Sequence, residues 1–415
     1  MTSKFERDLK RRREEILRFY YLEIGSVIRK RRLEMNMTQE ELSRGIFSHT
    51  YLSKIENNAI AVNKDSLYLI MERVDMSNAD YILPEEMLEI LEKAVRYFFL
   101  GDIEGYRVLV DSIHQYEYGI LIDLTRFGYH VLSRNFDEAR RNYEDLHRYL
   151  VALEDYGFTI YAIFAIFYLI TVDDIESAKK LYEQARGYHA MTTEMFALFE
   201  YAKFIIYGRL EWGFRARDGF ENAKNIFLEA DATIRVREMS MYLHLFRLYE
   251  GQISDKNAPM FFHMGENHHH HHEYLILSSM LDRSKRDWLL HVPPSSKYYP
   301  ESLFARCVLA LQDEEETALL TSRYALETEI NERVEHRYLI DWLDVLLTKD
   351  DFRLKDFLIQ ELLPRVTKRQ HIPLMRKVTE QIVTILAEHK RYKDSYSYLM
   401  KLRKAIRKIQ GPIEE

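Results

Sequence analysis

Hydrophobic and polar positions alternate with a helical period along most of this chain. In the stretch IGSVIRKRRLEM, Ile24, Val27, Ile28 and Met35 fall on one side, and the basic run between them falls on the others. Apolar helical segments separated by short polar breaks continue after Pro84. Eight prolines and fourteen glycines in 415 residues leave little material for the tight turns of an all-β fold. We therefore predict an all-α protein.

Near the start of the chain, capping residues mark two short helices joined by a turn. Thr38, followed three residues later by Glu41, predicts the N-cap and capping box of the first. Gly45 suits the left-handed position after that helix, and Ser48 predicts the N-cap of a second helix that runs to Glu56. The pattern indicates a helix-turn-helix.

The residues around this turn carry a resemblance to a known family. IRKRRLEMNMTQEEL followed by YLSKIENN resembles the helix-turn-helix of phage-repressor-type (XRE) regulators. The interval between Thr38 and Ser48 is one residue shorter than in the usual pattern. This shortened turn is similar to that of the Rgg, PlcR and NprR regulators of Gram-positive bacteria. The resemblance implies a DNA-binding head, tetratricopeptide-like repeats and control by a short signalling peptide.

In such proteins the second helix enters the major groove with its N-terminal residues at the base edges. The resemblance implies DNA contacts for Gln39, Ser48, His49, Thr50, Ser53, Lys54 and Asn57. His49, Thr50 and Lys54 would face bases, while Gln39 and Asn57 would face phosphates. For His49 the alternative is an exposed or capping side chain without a base contact. Arg32 and Glu56 match a buried pair that, in the phage repressors, ties the helix preceding the helix-turn-helix (here IGSVIRKRRLEM) to its second helix.

Residues 1–23 form an extension with apolar residues at roughly helical spacing, which predicts one more helix. Its basic run, residues 10–13, could touch the DNA backbone. Two glutamates follow that run directly, and this mixture is more typical of a solvated or packed helix.

After Pro84 one short sequence motif recurs: a large apolar residue, an acidic residue, any residue and a small residue. It occurs at residues 136–139, 175–178 and 220–223, at intervals of 39 and 45 residues, with looser candidates near Phe352 and Tyr392. Such intervals lie near the tetratricopeptide repeat, whose helix pairs must stack to bury their apolar faces. We predict a helical solenoid, with a non-repeating helical array as the alternative.

Aromatic residues concentrate in two segments, 158–171 and 200–217, which we assign to the inner wall of the solenoid. Aromatic rings with a guanidinium and an amide suit an extended peptide and its C-terminal carboxylate. The candidate peptide contacts are Phe167, Thr171, Tyr207, Trp212, Arg215 and Asn222. The alternative for each aromatic residue is a place in the core.

Five consecutive histidines, residues 268–272, interrupt the repeat pattern. We assign residues 251–300 to a loop or long insertion. No fixed Cys/His/carboxylate spacing accompanies the tract, so we predict no specific metal site and no cofactor. The single cysteine, Cys307, is read as a small buried hydrophobic residue.

Charge is divided unequally along the chain. The net charge is −7 overall, but residues 1–76 hold fifteen Lys/Arg against twelve Asp/Glu, a net +3, and the remainder is net −10. A polyanion is therefore expected to meet only the N-terminal part. No secretory signal is found, and the apolar run at 158–170 is too short to span a bilayer, which predicts a cytoplasmic protein without membrane contact.

Nucleotide-binding, metalloprotease and hydrolase motifs are all absent from the sequence, so we expect no enzyme. We predict three parts: an N-terminal extension (1–23), a helix-turn-helix domain (24–83) and a repeat domain for peptide binding and dimerisation (84–410). The predicted function is a homodimeric transcription regulator that binds a double-stranded operator under control of a signalling peptide. Two alternatives remain: a solenoid adaptor that sequesters a partner protein such as a response regulator, and a phage-type repressor without a peptide ligand.

Overall fold

The computed structural model describes ten stretches of the chain: residues 24–25, 28–29, 31–57, 59–76, 84–114, 120–148, 155–186, 192–250, 268–369 and 371–410. All regular secondary structure in these stretches is helical, which confirms the all-α prediction. None of their helices is both long enough and apolar enough to cross a membrane. The helix predicted for the N-terminal extension lies outside the described residues.

The N-terminal domain contains α1 (Gln39–Ser43), α2 (His49–Glu56) and α3 (Lys64–Arg73). Both predicted caps are present: Thr38 and Glu41 form a capping box, and the Ser48 hydroxyl accepts the Tyr51 N–H at 3.2 Å. Gly45 has φ +77°, the left-handed value that the turn requires. The core of the domain is apolar and buried, and it includes Ile24, Ile28, Leu42, Leu52, Ile55, Leu67 and Ile70. The helix-turn-helix prediction is confirmed.

Helices continue through the rest of the described chain. They are α4 (Pro84–Leu100), α5 (Ile103–Ser112), α6 (Ile120–Ser133), α7 (Phe136–Arg148), α8 (Asp155–Thr171), α9 (Ile175–Ala185), α10 (Thr193–Arg209), α11 (Gly213–Glu229), α12 (Thr233–Tyr249), α13 (His269–Leu281), α14 (Tyr299–Gln312), α15 (Glu316–Glu332), α16 (Tyr338–Thr348), α17 (Asp351–Phe357), α18 (Leu363–Lys368), α19 (Ile372–Glu388) and α20 (Tyr392–Gln410). Leu358–Leu362, between α17 and α18, is a π-helical turn.

One backbone turn joins the members of successive helix pairs. Two positions before the second helix of seven described pairs, the backbone is left-handed, with φ between 54° and 73°, at Gly101, Arg134, Asp173, Glu211, Glu314, Lys349 and Lys390, and Asp231 has the same conformation before α12. At Trp212, the N–H just after the left-handed residue donates to the Tyr207 carbonyl at 2.8 Å, the long bond of a Schellman turn. The turn therefore recurs although only Gly101 is a glycine.

The third copy of the predicted repeat motif, residues 220–223, has the wrong register. Helix α11 begins at Gly213, so the residue in the position of Ala139 and Ala178 is Ala216 rather than Ala223. Successive second helices begin at residues 136, 175 and 213, and the predicted interval of 45 residues is wrong. The cause is helical geometry: seven residues are nearly two turns, so Ala216 and Ala223 lie on the same buried face. Later helices do begin at or beside Phe352 and Tyr392, as predicted.

The chain divides into two compact units. The first comprises Met1–Phe164 and Gly187–Met195, and its repeat part has an aromatic core in which the Phe98 and Phe164 rings lie 4.8 Å apart. The second comprises Ala165–Arg186 and Phe196–Glu415. There Trp342 stacks on Phe304 at 4.8 Å beside the buried Cys307. The proposed domain boundary at residue 83 stays a prediction.

Within the second unit, the turn between α10 and α11 contacts helices that lie far away in sequence. The Leu210 carbonyl accepts the Gln410 side-chain amide at 2.8 Å, and the Gln410 carbonyl accepts Lys179 at 2.8 Å. Glu211 forms a bidentate ion pair with Arg376 of α19. The last two helices are thereby attached to the start of the unit.

Candidate DNA-binding surface and ligand cavity

Helix α2 presents a polar face opposite its buried one. Leu52, Ile55 and Glu56 are buried, whereas His49, Thr50 and Lys54 are exposed and Ser53 is half-buried. Exposed and buried positions alternate in this way because residues three and four apart share a face of a helix. The surface has the geometry that base-reading residues need, and base contact itself stays a prediction.

Gln39 and Asn57, predicted at phosphates, both have partners in the protein. The Gln39 amide donates to Glu56 at 2.7 Å, and the Asn57 carbonyl oxygen accepts Arg29 at 3.4 Å. Arg29 and Asn57 are exposed at the end of α2, while Gln39 is half-buried at the start of α1. Arg29 adds a guanidinium to this edge that the sequence argument did not assign.

The predicted pair Arg32–Glu56 is confirmed. Arg32 donates from Nε to Glu56 Oε1 at 2.6 Å and from Nη2 to Oε2 at 2.8 Å, and both side chains are buried. Hydrogen bonding to Glu56 raises the pKa of Arg32. Arg32 also donates to the Met37 carbonyl at 2.7 Å, so one guanidinium joins the segment before α1 to the end of α2.

Three of the six predicted peptide residues form one cluster, which we call the aromatic clasp: Tyr207, Trp212 and Arg215. The two rings stack at 5.5 Å with an interplanar angle of 12°. The Arg215 guanidinium lies 4.8 Å from the Trp212 ring and donates to the Tyr207 hydroxyl at 3.2 Å. Tyr207 is buried, and burial, together with its hydrogen bond to Glu183, raises its pKa to about 12. Arg215 is thus engaged within the protein.

The structure does not bring the other three predicted peptide residues into this clasp. Phe167 is buried with its ring 5.3 Å from Tyr201, and Thr171 donates its hydroxyl to the Phe167 carbonyl at 2.8 Å. Asn222 donates its amide to Glu200 at 2.8 Å. Peptide contact by all six residues stays a prediction.

A cavity of about 830 Å³ opens in the second unit between α10, α11, α12 and α19. Its lining from α11 is one stripe at helical spacing, Gly213, Ala216, Arg217, Phe220 and Glu221. None of the described residues that line it belongs to the predicted six. The register shift in α11 explains the miss on that helix, and Arg376 and Lys377 of α19 had no sequence signal that placed them here.

The histidine tract lies in a helix, which corrects the loop prediction for these residues. His268 caps α13 by accepting the His271 N–H at 3.2 Å, and His270, His271 and His272 are buried. The ring nitrogen Nδ1 of His272 lies 2.7 Å from the Ser296 hydroxyl. The described residues contain no group of three His, Cys or acidic side chains placed to hold a metal ion.

Next to the cavity is a buried polar network, formed by Arg209, Tyr249, His270, Glu273 and His371. Arg209 donates to the Glu273 carboxylate at 2.6 and 3.1 Å, and the Tyr249 hydroxyl also donates to it. Ring nitrogens of His270 and His371 lie 3.2 and 3.4 Å from the same carboxylate. Burial opposes ionisation, but the Arg209 guanidinium and the hydrogen bonds from Arg209, His270 and His371 together outweigh it and hold the pKa of Glu273 well below its usual range. The network joins α10, α12, α13 and α19, and Tyr249 also lines the cavity.

Comparison with known proteins bears on the fold of the two parts of the chain. Residues 28–77 match the family described as helix-turn-helix. A search of curated proteins found no match. Among solved structures, the Rap protein complexed with competence and sporulation factor has a similar fold, with a TM-score of 0.60 and 10% identity, covering 79% of this chain and all of that one.

Two further structures are from Bacillus thuringiensis. The apo quorum sensor NprR has a TM-score of 0.46 and 13% identity, covering 78% of this chain and 99% of that one. PlcR in complex with the peptide PapR7 and DNA has a TM-score of 0.24 and 15% identity, covering 77% and 98%. The family match of residues 28–77 and the fold shared with the Rap protein establish a helix-turn-helix followed by a helical, repeat-like solenoid.

Proposed function

We propose that this chain is a transcription regulator whose helix-turn-helix binds an operator as a homodimer and whose solenoid binds a short signalling peptide. The observation that carries the proposal is the combination, in one chain, of an exposed polar face on α2 and an open cavity among the repeats. The similar fold of the Rap protein, solved with competence and sporulation factor, supports a signalling ligand in the solenoid. The sequence resemblance supports a peptide as that ligand.

In the proposed complex, α2 enters the major groove from its Ser48 end. His49, Thr50, Ser53 and Lys54 would meet base edges there. Phosphates would be held at the two edges of the helix-turn-helix by Gln39 and Asn57. The acidic remainder of the chain would stay away from DNA. Because phosphate contacts release counterions, operator affinity in a gel-shift titration should fall as salt rises, and a salt-independent affinity would contradict the proposal.

Replacing Lys54 by alanine should relax the sequence preference at one operator position at a cost of about 1–3 kcal/mol, because lysine donates to guanine O6 and N7. Asn57→Ala should instead weaken all sequences alike. Selection from randomised DNA measures both effects. Lys180→Ala, an exposed change in the acidic part of the chain, is the control and should leave the selected motif and the affinity unaltered. An unchanged motif in Lys54→Ala would mean that α2 does not read bases through this residue.

Regulation would act through the spacing of the two heads. The recognition helices of a dimer must lie about 34 Å apart to enter successive major grooves. A ligand that binds one conformation of the solenoid more tightly shifts the population of dimers with that spacing. The peptide would thereby permit or prevent operator binding.

We place the peptide in the cavity rather than at the aromatic clasp. The cavity volume falls within the range of about 300–1,000 Å³ typical of ligand sites. Arg247 lines it with an exposed side chain, whereas Arg215 is bound to Tyr207 and stacked on Trp212. The cavity thus offers a guanidinium that a ligand can reach without first breaking an internal contact.

Replacing each of these two arginines in turn by alanine distinguishes the two candidate peptide sites, the cavity and the aromatic clasp. Arg247→Ala should weaken peptide binding at least tenfold, because charge-assisted contacts to a carboxylate are about twice as strong as neutral ones. Arg215→Ala should change peptide affinity less than threefold. Calorimetry with a peptide recovered from the protein measures both. The reverse ranking would move the site to the aromatic clasp and support the assignment made from the sequence.

A second candidate function is that of an adaptor that sequesters another protein. One observation favours a protein contact: α20 exposes Tyr392, Tyr396 and Met400 at intervals of four residues, with exposures of 66%, 64% and 43%. The same face could serve the homodimer. If sedimentation finds a monomer and Tyr396→Glu abolishes capture of a partner protein, the adaptor is favoured. If Tyr396→Glu dissociates a dimer, the regulator is favoured.

A further inference from the structure

Two helices of the second unit begin at a histidine cap. At the start of α19, His371 Nδ1 accepts the Leu374 N–H at 3.3 Å, and His268 caps α13 in the same way. Carboxylate oxygens of Asp102 and Asp174 cap α5 and α9 instead. Among side chains, the imidazole is the one whose charge ordinarily changes between about pH 5 and 8. The start of α19 and the start of α13 are therefore held by groups that titrate near neutral pH.

The backbone donors fix the protonation state of both rings. Because Nδ1 of each ring accepts a backbone N–H, that nitrogen carries no hydrogen, and the neutral ring holds its proton on Nε2. A second proton would convert Nδ1 into a donor that faces another donor. The cap would then be lost, and the positive end of the helix dipole would oppose the new charge.

The groups that face His371 come from three helices. Its Nε2 lies 3.4 Å from Glu273 of α13, 3.0 Å from the Tyr249 hydroxyl of α12 and 3.0 Å from Arg209 of α10. Burial raises the pKa of Tyr249 and lowers the pKa of His270, which shares the Glu273 carboxylate, so both stay uncharged. Despite burial, the Glu273 carboxylate raises the pKa of Arg209, and Arg209 with the two histidines lowers the pKa of Glu273. The four neighbours therefore keep their charges as pH falls from about 8 to 5, which leaves His371 to gain a proton.

Protonation would keep His371 in the buried network but release α19. A charged ring still donates from Nε2 to Glu273, because that contact needs a hydrogen there. The cap at Nδ1 cannot persist. The first turns of α19 carry Pro373 and Arg376, which line the cavity. Loss of the cap would therefore loosen one wall of the cavity.

At the other end of α19 the hydrogen bond has the opposite direction. His389 Nδ1 donates to the Ile385 carbonyl at 2.9 Å, and a protonated ring makes the same bond. A positive charge is also favourable at the C-terminal end of a helix. One helix thus has a proton-sensitive histidine before its first turn and an insensitive one after its last.

We propose that α19 is a proton-sensitive wall of the cavity, which acidification loosens through His371 while the buried network stays closed. The capped state binds no proton at Nδ1 and the uncapped state can bind one, so falling pH favours the uncapped state. His268 makes the start of α13 a second site of the same kind. The inference concerns the protein without ligand, so it goes beyond the proposed function and does not depend on it.

The test is hydrogen–deuterium exchange of the full-length protein at a series of pH values, with the rates of the Leu374 and Met375 amides divided by their intrinsic rates. Protection in wild type should fall about fivefold between about pH 7.5 and 5.5, the factor that corresponds to the usual worth of a cap. His371→Asn keeps a capping acceptor that does not titrate, so its protection should stay constant. His389→Asn is the matched control on the same helix and should fall as wild type does.

Three outcomes would overturn the inference. They are constant protection in wild type, an equal fall in His371→Asn, and a fall that extends through α10 and α12, which would indicate general acid unfolding. The wild-type measurement needs no variant, so it decides even if His371→Asn fails to fold, which the thermal midpoint reports. Because no peptide is present, none of these outcomes bears on the proposed function.

Discussion

Replacing Glu273 by alanine should lower the free energy of unfolding of the second unit by about 3–5 kcal/mol. The change leaves the Arg209 guanidinium buried without its counter-charge, and breaking a buried pair from one side is costly for that reason. It also removes the acceptor of the Tyr249 hydroxyl. Chemical denaturation of the full chain, followed by hydrogen exchange in α12 and α13, locates and measures the loss.

Two further variants test whether the charge of Glu273, rather than the shape of its side chain, accounts for the loss of stability. Glu315→Ala removes an exposed partner of Arg286 from the same unit and should cost less than about 1 kcal/mol. Glu273→Gln keeps the shape but does not titrate. Because the folded-state pKa of Glu273 is lowered, its stabilisation is complete above its unfolded pKa near 4.5 and is lost as pH falls. The stability gap between wild type and Glu273→Gln should therefore narrow below that pH, and a constant gap would contradict the assigned ionisation.

Glu56→Ala should unfold much of the helix-turn-helix, again with a cost of about 3–5 kcal/mol. Arg32 would remain buried without its bidentate partner, and the Gln39 amide would lose its acceptor. DNA binding should fail as a consequence, although Glu56 itself is buried and faces no base. Hydrogen exchange of the α2 amides measures the unfolding directly.

Two variants test this explanation of the Glu56 effect. Glu34→Ala breaks the exposed Arg31–Glu34 pair, whose side chains are 41% and 46% exposed, and should change stability by less than about 1 kcal/mol. The double variant Arg32→Met, Glu56→Leu replaces both charges by apolar groups of similar size and should recover most of the loss. If the double variant were less stable than Glu56→Ala, an unpaired charge would not be the cause.

The head could be predicted from sequence because its signals are local. Thr38 and Glu41, three residues apart, form the capping box of α1, and Ser48 caps α2, so each helix is specified by its own neighbours in the sequence. Even the long-range Arg32–Glu56 pair followed from the family pattern.

The cavity could not be predicted in the same way, because its residues come together only through packing. The sequence pattern placed Phe220 at the start of a helix, whereas that helix, α11, begins at Gly213. The two registers differ by nearly two helical turns, so both bury the same face and the apolar pattern does not distinguish them. Arg376 lies more than 150 residues further along and has no local motif. His270 looked like part of a solvated tract, but it lies buried in α13, where its ring contacts Arg209 and Glu273.

The contacts of Leu210 and Glu211 with the last two helices bear on how the protein loses its structure. An ordinary repeat array is nearly one-dimensional, so its terminal repeats fray first and its stability is a sum over neighbours. Here Gln410 and Arg376 hold a turn some 200 and 165 positions earlier in the chain. Unfolding at either end of the second unit therefore breaks contacts made by the other end. Deletion of α20 would remove contacts that the whole unit depends on. The second unit should melt in one cooperative step, as a globular domain does.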